Sequence, residues 1–136
     1  MSNESAEIAL SDSLTRFVRH SSWVRSDKTV KSDAFIPQPS LKLSVMDRAD
    51  LQEPQIWRYG EATMELSGAT LHGRADFRAE HPQGLGLKIE ADPTPLNKYH
   101  AHITGWPPKP QQKLLAVEIA GKSIFVSPPA GAPSAL

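Results

Sequence analysis

Alternation of apolar and polar positions is the dominant pattern in the chain. In "LKLSVMD", residues 41–47, Leu41, Leu43 and Val45 alternate with Lys42, Ser44 and Met46, the two-residue period of a strand. Leu71, Gly73, Ala75 and Phe77 alternate with His72, Arg74, Asp76 and Arg78, which predicts a strand with one buried face and a charged outer face. Residues 85–92, "LGLKIEAD", alternate in the same way. So do residues 99–106, where Ala101, Ile103 and Gly105 face inward and His100, His102 and Thr104 form the wet face. Partial alternation over residues 14–24 predicts a strand, with a short helix as the alternative, and "TVKSDAFIP", residues 29–37, reads as a further strand. The second closes at Pro37 and Pro39, and "SIFV" adds a short last strand.

The period changes in two places. Ile56, Gly60 and Met64 recur every fourth residue with Trp57 beside them, the stripe of a helix. Asp50 with Glu53 reads as its capping box, Pro54 falls in the first turn, and Ser67-Gly68 ends it. "QQKLLAVEIAGK" is the second helix, with Leu114, Leu115, Val117 and Ile119 packed deep and Gly121 as its C-cap. Strands and helices do not alternate regularly. The expectation is an α+β fold: a mostly antiparallel sheet of five to seven short strands with two helices packed on one face.

Length changes the picture little, since 136 residues suit one domain. Residues 13–127 form that single domain, between a disordered lead-in (1–12) and a flexible Pro/Ala-rich tail (128–136). No internal repeat is visible. Counting glycine, the apolar share is roughly 45%, enough for an ordered core. Cysteine is missing, which excludes disulfides, thiolate catalysis and cysteine-based metal sites. No run is long and apolar enough to span a membrane, and the first ten residues have no signal-peptide pattern. The expected setting is the cytoplasm.

Fifteen basic and fifteen acidic residues balance to zero, but unevenly. Residues 14–31 carry Arg16, Arg19, Arg25, Lys28 and Lys31 against Asp27, or +4. Interleaved with Phe17 and Trp23, this segment offers phosphate contacts and stacking rings for nucleic acid. The plain alternative is a solvated strand whose rings belong to the core.

The motif string "LTRFVRHSS", "TVKSDAFIP", "LHGRADFRA", "HAHITGWPP" and "KLLAVEIA" resembles a family of small bacterial proteins over residues 14–120. The resemblance implies a compact bacterial cytoplasmic domain and implies no activity. In that family the position of His102 is often asparagine, so this chain departs from the pattern there, while His100 keeps to it.

Histidine supplies the candidate chemistry. His20-Ser21-Ser22 and His102-Ile103-Thr104 are two His-x-Ser/Thr triplets, the arrangement with which two-histidine phosphoesterases pair an acid and a base near neutral pH. That fold needs two similar lobes, which the chain lacks. Alternatively, His100 and His102 share a strand face and can ligate one divalent metal, with His72, Asp76 or His81 as third ligand. "HGRAD" places Arg74, Asp76 and His72 together, either as a histidine oriented by a carboxylate or as a surface ion pair. Trp106, between Gly105 and Pro107, either stacks on a ligand or caps the core with its indole N–H on a carbonyl. The phosphate-binding P-loop, GxGxxG, nucleophile-elbow and HExxH motifs are missing.

Two readings result. One is a cytoplasmic accessory, regulatory or immunity-type partner, associated with a defence locus. It binds a protein or self-associates, and its binding residues are Arg16, Arg19, Arg25, Lys28, Lys31, Arg74 and Trp106. The alternative is a phosphoester hydrolase or nuclease, metal-dependent or not, built on His100, His102, His20 and His72.

Overall fold

The structure, a computed structural model, describes residues 12–129. The predicted lead-in and tail therefore lie outside the described residues, apart from Asp12, Pro128 and Pro129. Six strands form one sheet: β1 (Ser13–Val18), β2 (Leu43–Asp47), β3 (Gly73–Arg78), β4 (Lys88–Ala91), β5 (His100–Thr104) and β6 (Ile124–Val126). Their spatial order is β4-β5-β2-β1-β3-β6, and every pairing is antiparallel. Three helices accompany them: α1 (Glu53–Ser67), the short α2 (Glu80–Gly84) and α3 (Lys109–Lys122). The α+β class and antiparallel sheet are those the alternation predicts.

Strand parity sorts the core into two layers. Leu14, Leu43, Val45, Ala75, Phe77, Ala101 and Ile103 face one side, where Ala116, Ile119 and Ala120 of α3 cover them. Phe17 and Met46 face the other side, where Ile56, Trp57 and Met64 of α1 pack with Leu71. The two long helices thus lie on opposite faces, not on one. Both parities of the central strands are apolar enough to need a cover, and each helix supplies one. Fully burying a side chain such as Phe35, Leu14 or Ile103, all at 0% exposure, contributes about 1.5–3 kcal/mol.

α1 buries Ile56, Trp57, Gly60 and Met64, the face its spacing predicts, and ends on Gly68 in the left-handed conformation at φ 71°. Its start differs from the predicted Asp50–Glu53 box. Gln52 is the N-cap, and its N–H is taken by Gln55 Oε1 at 2.8 Å. That start puts Pro54 within the first two positions, where no intrahelical N–H is needed.

Three further expectations change. "TVKSDAFIP" is not a strand: Ser32–Phe35 form a 3-10 turn, with only a single bridge between Val24 and Val30 nearby. The turn buries Ser32, Ala34 and Phe35 together while Asp33 stays exposed, which a strand's strict alternation cannot do. α3 buries Gln112, Ala116, Ile119 and Ala120 and leaves Leu114 and Val117 at 65% and 48% exposure. Small alanines let the helix approach the sheet and the 3-10 turn closely; a leucine stripe would hold it away. Gly121 is inside α3, and Ser123 is the C-cap.

Candidate metal centre

Three ligand-bearing side chains meet at the β4–β5 end of the sheet. Asp92, His100 and His102 each offer one ligand atom, and these atoms all lie within 4.8 Å of one another. Among the described residues no other cluster of this kind occurs. The two imidazoles stand edge to face with ring centroids 4.7 Å apart. Asp92 Oδ2 is 3.3 Å from Nδ1 of both rings. His100 Nδ1 also lies 2.9 Å from the Asp92 carbonyl oxygen. With the proton on that nitrogen, Nε2 carries the lone pair, the usual way a backbone acceptor sets the tautomer of a ligating histidine.

The hairpin register explains the meeting. Glu90 pairs with His102 and Ala91 with Ala101, so the next position, Asp92, falls opposite His100 on the same face of the sheet. The loop that follows is tied down by Asn97. It is buried, its Oδ1 accepts the Tyr99 N–H at 2.8 Å, its own N–H reaches Thr94 Oγ1 at 3.0 Å, and its Nδ2 lies 3.0 Å from Met46 Sδ. The Asp92 N–H closes the hairpin on the His100 carbonyl at 2.8 Å.

The site is partly shielded: side-chain exposure is 21% for His100, 18% for His102 and 50% for Asp92. Burial, the neighbouring His100 and Lys42 hold His102 below its ordinary pKa of 6.5, against the opposing pull of Asp92 and Glu90. A neutral imidazole at pH 7 is the form that ligates a metal.

The wet face of β5 is where the alternation puts it, with Ala101 and Ile103 inside at 0% exposure. The third ligand is not one of those the sequence suggests. Asp76 on β3 is bound to Arg74 and Arg48, and His81 sits in α2 beside Glu80. His72 precedes β3, its N–H on the Val18 carbonyl. β1 and β2 lie between β3 and β5, roughly 14 Å of sheet at the usual strand spacing. Asp92 escaped sequence reasoning, although the spacing Asp-x7-His-x-His with a hairpin register would have exposed it.

The four-histidine arrangement does not assemble either. His20 stacks edge-on against Trp23 at 4.9 Å, and His72 is separated from His100 by β1 and β2. The basic segment is not one open surface. Arg16 is buried, Phe17 belongs to the α1-side core, and Trp23 is half-buried beneath the Arg16 guanidinium. Arg25 folds onto Thr29 Oγ1 and the Val30 carbonyl at 3.2 and 3.3 Å, with Lys28 at the turn between them at φ 72°. Lys31 is half-buried and Arg19 likewise.

Arg74 and Asp76 do pair, but not at the surface. Arg74 lies under α1, 3% exposed at its side chain, with Asp76 at 2.9 Å and a two-pronged bond to Glu53 at 2.8 and 3.0 Å. Its guanidinium rests 5.0 Å from the Trp57 ring. Burial opposes its charge, but the bonds from Glu53 and Asp76 outweigh it and raise its pKa. These partners occupy the guanidinium, so the Arg74–Asp76 part of the strand's charged face is covered, while Arg78 at its end stays exposed. Trp106 is buried, and its indole N–H bonds the Ile103 carbonyl at 2.9 Å, the core-capping role rather than a stacking one.

Among the described residues no helix is long and apolar enough to cross a membrane. No family model, characterised protein or solved structure matches this chain, so the reading of the site rests on its geometry.

Proposed function

We propose that the chain is a small cytoplasmic accessory protein that works by binding, and that its ligand site is a divalent transition-metal centre held by Asp92, His100 and His102. The observation that carries this reading is the meeting of two imidazoles and one carboxylate within 4.8 Å. Mixed nitrogen and oxygen donors suit zinc and its neighbours better than magnesium or calcium. A regulatory, immunity-type or defence-locus role for the protein is supported by its size and balanced charge. The exposed Leu114 and Val117 of α3 give a protein partner or a second copy apolar area to meet.

A second reading, a metal-dependent phosphoester hydrolase, is favoured by the ligand count. Three protein ligands leave coordination positions open for water or substrate, as in catalytic rather than structural zinc sites.

Cobalt(II) titration of the chelator-treated protein tests the centre. One equivalent should bind and develop the visible absorption of a cobalt ion with nitrogen ligands. His100→Ala should remove it, and Asp92→Asn should weaken binding by about 10-fold or more. Absorption unchanged by either substitution would place the ion elsewhere and end this reading.

A further inference from the structure

Beside the histidine pair the sheet opens. β1 pairs with β3 from Ser13 to Val18 but with β2 only at Leu14 and Thr15. Past Thr15 the strands part, and Arg16 fills the gap. Its Nε donates to the Ala34 carbonyl at 2.8 Å and its Nη1 to the Ser44 carbonyl at 3.1 Å. Its guanidinium stands 5.3 Å from the Trp23 ring.

Arg16 differs from Arg74 in one respect that matters. Arg74 has two carboxylates; Arg16 has no carboxylate within ion-pair distance among the described residues, and the charge that acts on it is a second cation, Arg19. Burial and Arg19 push its pKa down to about 10, so it remains charged at neutral pH. Arg19 adds a buried Nε without a hydrogen-bond partner among the described residues. Burying guanidinium groups without a counter-charge is costly, and an anion delivered to them recovers that cost through charge-assisted hydrogen bonds.

Both arginines line a cavity of about 400 Å³, which also touches Phe17, Met46, Met64 and His100. That volume lies within the range of small-molecule sites, about 300–1,000 Å³. Two guanidinium groups match a dianion better than a monoanion, and the planar fork of arginine suits phosphate oxygens. The thioethers and the Phe17 ring offer an apolar wall next to the cations.

We infer that the cavity between the C-terminal half of α1 and the β1–β2 gap binds a small phosphate monoester, with Arg16 and Arg19 holding the phosphate and Phe17, Met46 and Met64 facing the organic part. The site is separate from the metal centre, although His100 touches both, and the inference does not rest on a bound metal.

The test is a thermal-shift and calorimetric titration of chelator-treated full-length protein at low salt. The probes are adenosine 5′-monophosphate, inorganic phosphate and adenosine. The nucleotide should raise the melting temperature saturably, inorganic phosphate should do so more weakly, and adenosine should do nothing. Arg19→Met should weaken nucleotide binding by about 10-fold or more. The same change removes an unpaired buried donor, so the ligand-free melting temperature should not fall.

Several results would overturn the inference: no saturable shift with either phosphate, adenosine binding as well as its monophosphate, or full nucleotide affinity in Arg19→Met. A fall in ligand-free stability with nucleotide affinity intact would make Arg19 a structural residue only. Tighter binding of a single-stranded oligonucleotide than of the mononucleotide would replace the cavity by a nucleic-acid surface. Because chelator is present throughout, failure of the metal reading leaves these outcomes unchanged.

Discussion

Gly60 sits mid-helix, where alanine is ordinarily better by about 1 kcal/mol. Packing reverses that preference. A Cβ at Gly60 would lie 2.7 Å from Phe17 Cε1 and 3.0 Å from Leu71 Cδ2, and Phe17 is a ring held in the core rather than a mobile chain end. Overpacking of this kind costs about 1–3 kcal/mol. Gly60→Ala should therefore destabilise the protein by about 1 kcal/mol, read as a lower urea midpoint at unchanged slope. A higher midpoint would show that α1 sits less closely on β1 than described. Gly68 is the contrasting case: it caps α1 at φ 71° with open space around it, so its constraint is the backbone conformation alone.

Elements are held in place by the charges between them as well as by their apolar faces. Arg74 on β3 ties the first turn of α1 through Glu53, and Arg48, just past β2, joins through Asp76 at 3.3 Å. Removing Arg74 leaves Asp76 under the helix with one cation fewer, so Arg74→Ala should cost about 3 kcal/mol. Glu53 is 63% exposed at its side chain, and Glu53→Gln should cost under about 1 kcal/mol. The Arg74 hydrogen bond holds the Glu53 carboxyl below its ordinary 4.5. A lowered carboxyl pKa contributes stability that is present above 4.5 and lost as pH falls through the folded value. Acid unfolding curves should thus differ between wild type and Glu53→Gln above pH 4.5 and converge below it. Parallel curves across the whole range would remove Glu53 from the account.

Sequence alternation reveals β2, β3 and β5 because each has one parity that is buried. It reveals the buried stripe of α1 because Ile56, Gly60 and Met64 repeat at helical spacing. It misleads at α3, where Ala116 and Ala120 rather than Leu114 meet the core, since closeness of approach is decided by the partner surface. It misleads again at residues 29–37, where burial of Ser32, Ala34 and Phe35 follows a 3-10 turn. At the site, the histidine pair is legible as two same-face positions. Asp92 is not, because its place depends on the register of a hairpin whose loop is held by Asn97.

At the scale of the whole molecule, the sheet order decides what the surface offers. α1 covers the polar-parity face over β1 and β3, and the same face of β5 beyond it keeps His100 and His102 within reach of solvent. An ion bound there joins β5 to the end of β4, one edge of the sheet, and so couples to folding as any ligand of the native state does. At a free concentration of 100 times Kd the gain is about 2.7 kcal/mol, or roughly 10 °C in melting temperature for a domain of this length. Protons compete with the metal for the His102 nitrogen, whose pKa burial and His100 hold below 6.5, so the gain should shrink as pH falls below that value. Zinc should therefore raise the melting temperature at pH 7.5, much less at pH 5.5, and not at all in His100→Ala. Equal shifts at both pH values would assign the stabilisation to carboxylates scattered over the surface. A shift that follows the histidines would make this edge of the sheet the part of the molecule through which its ligand acts.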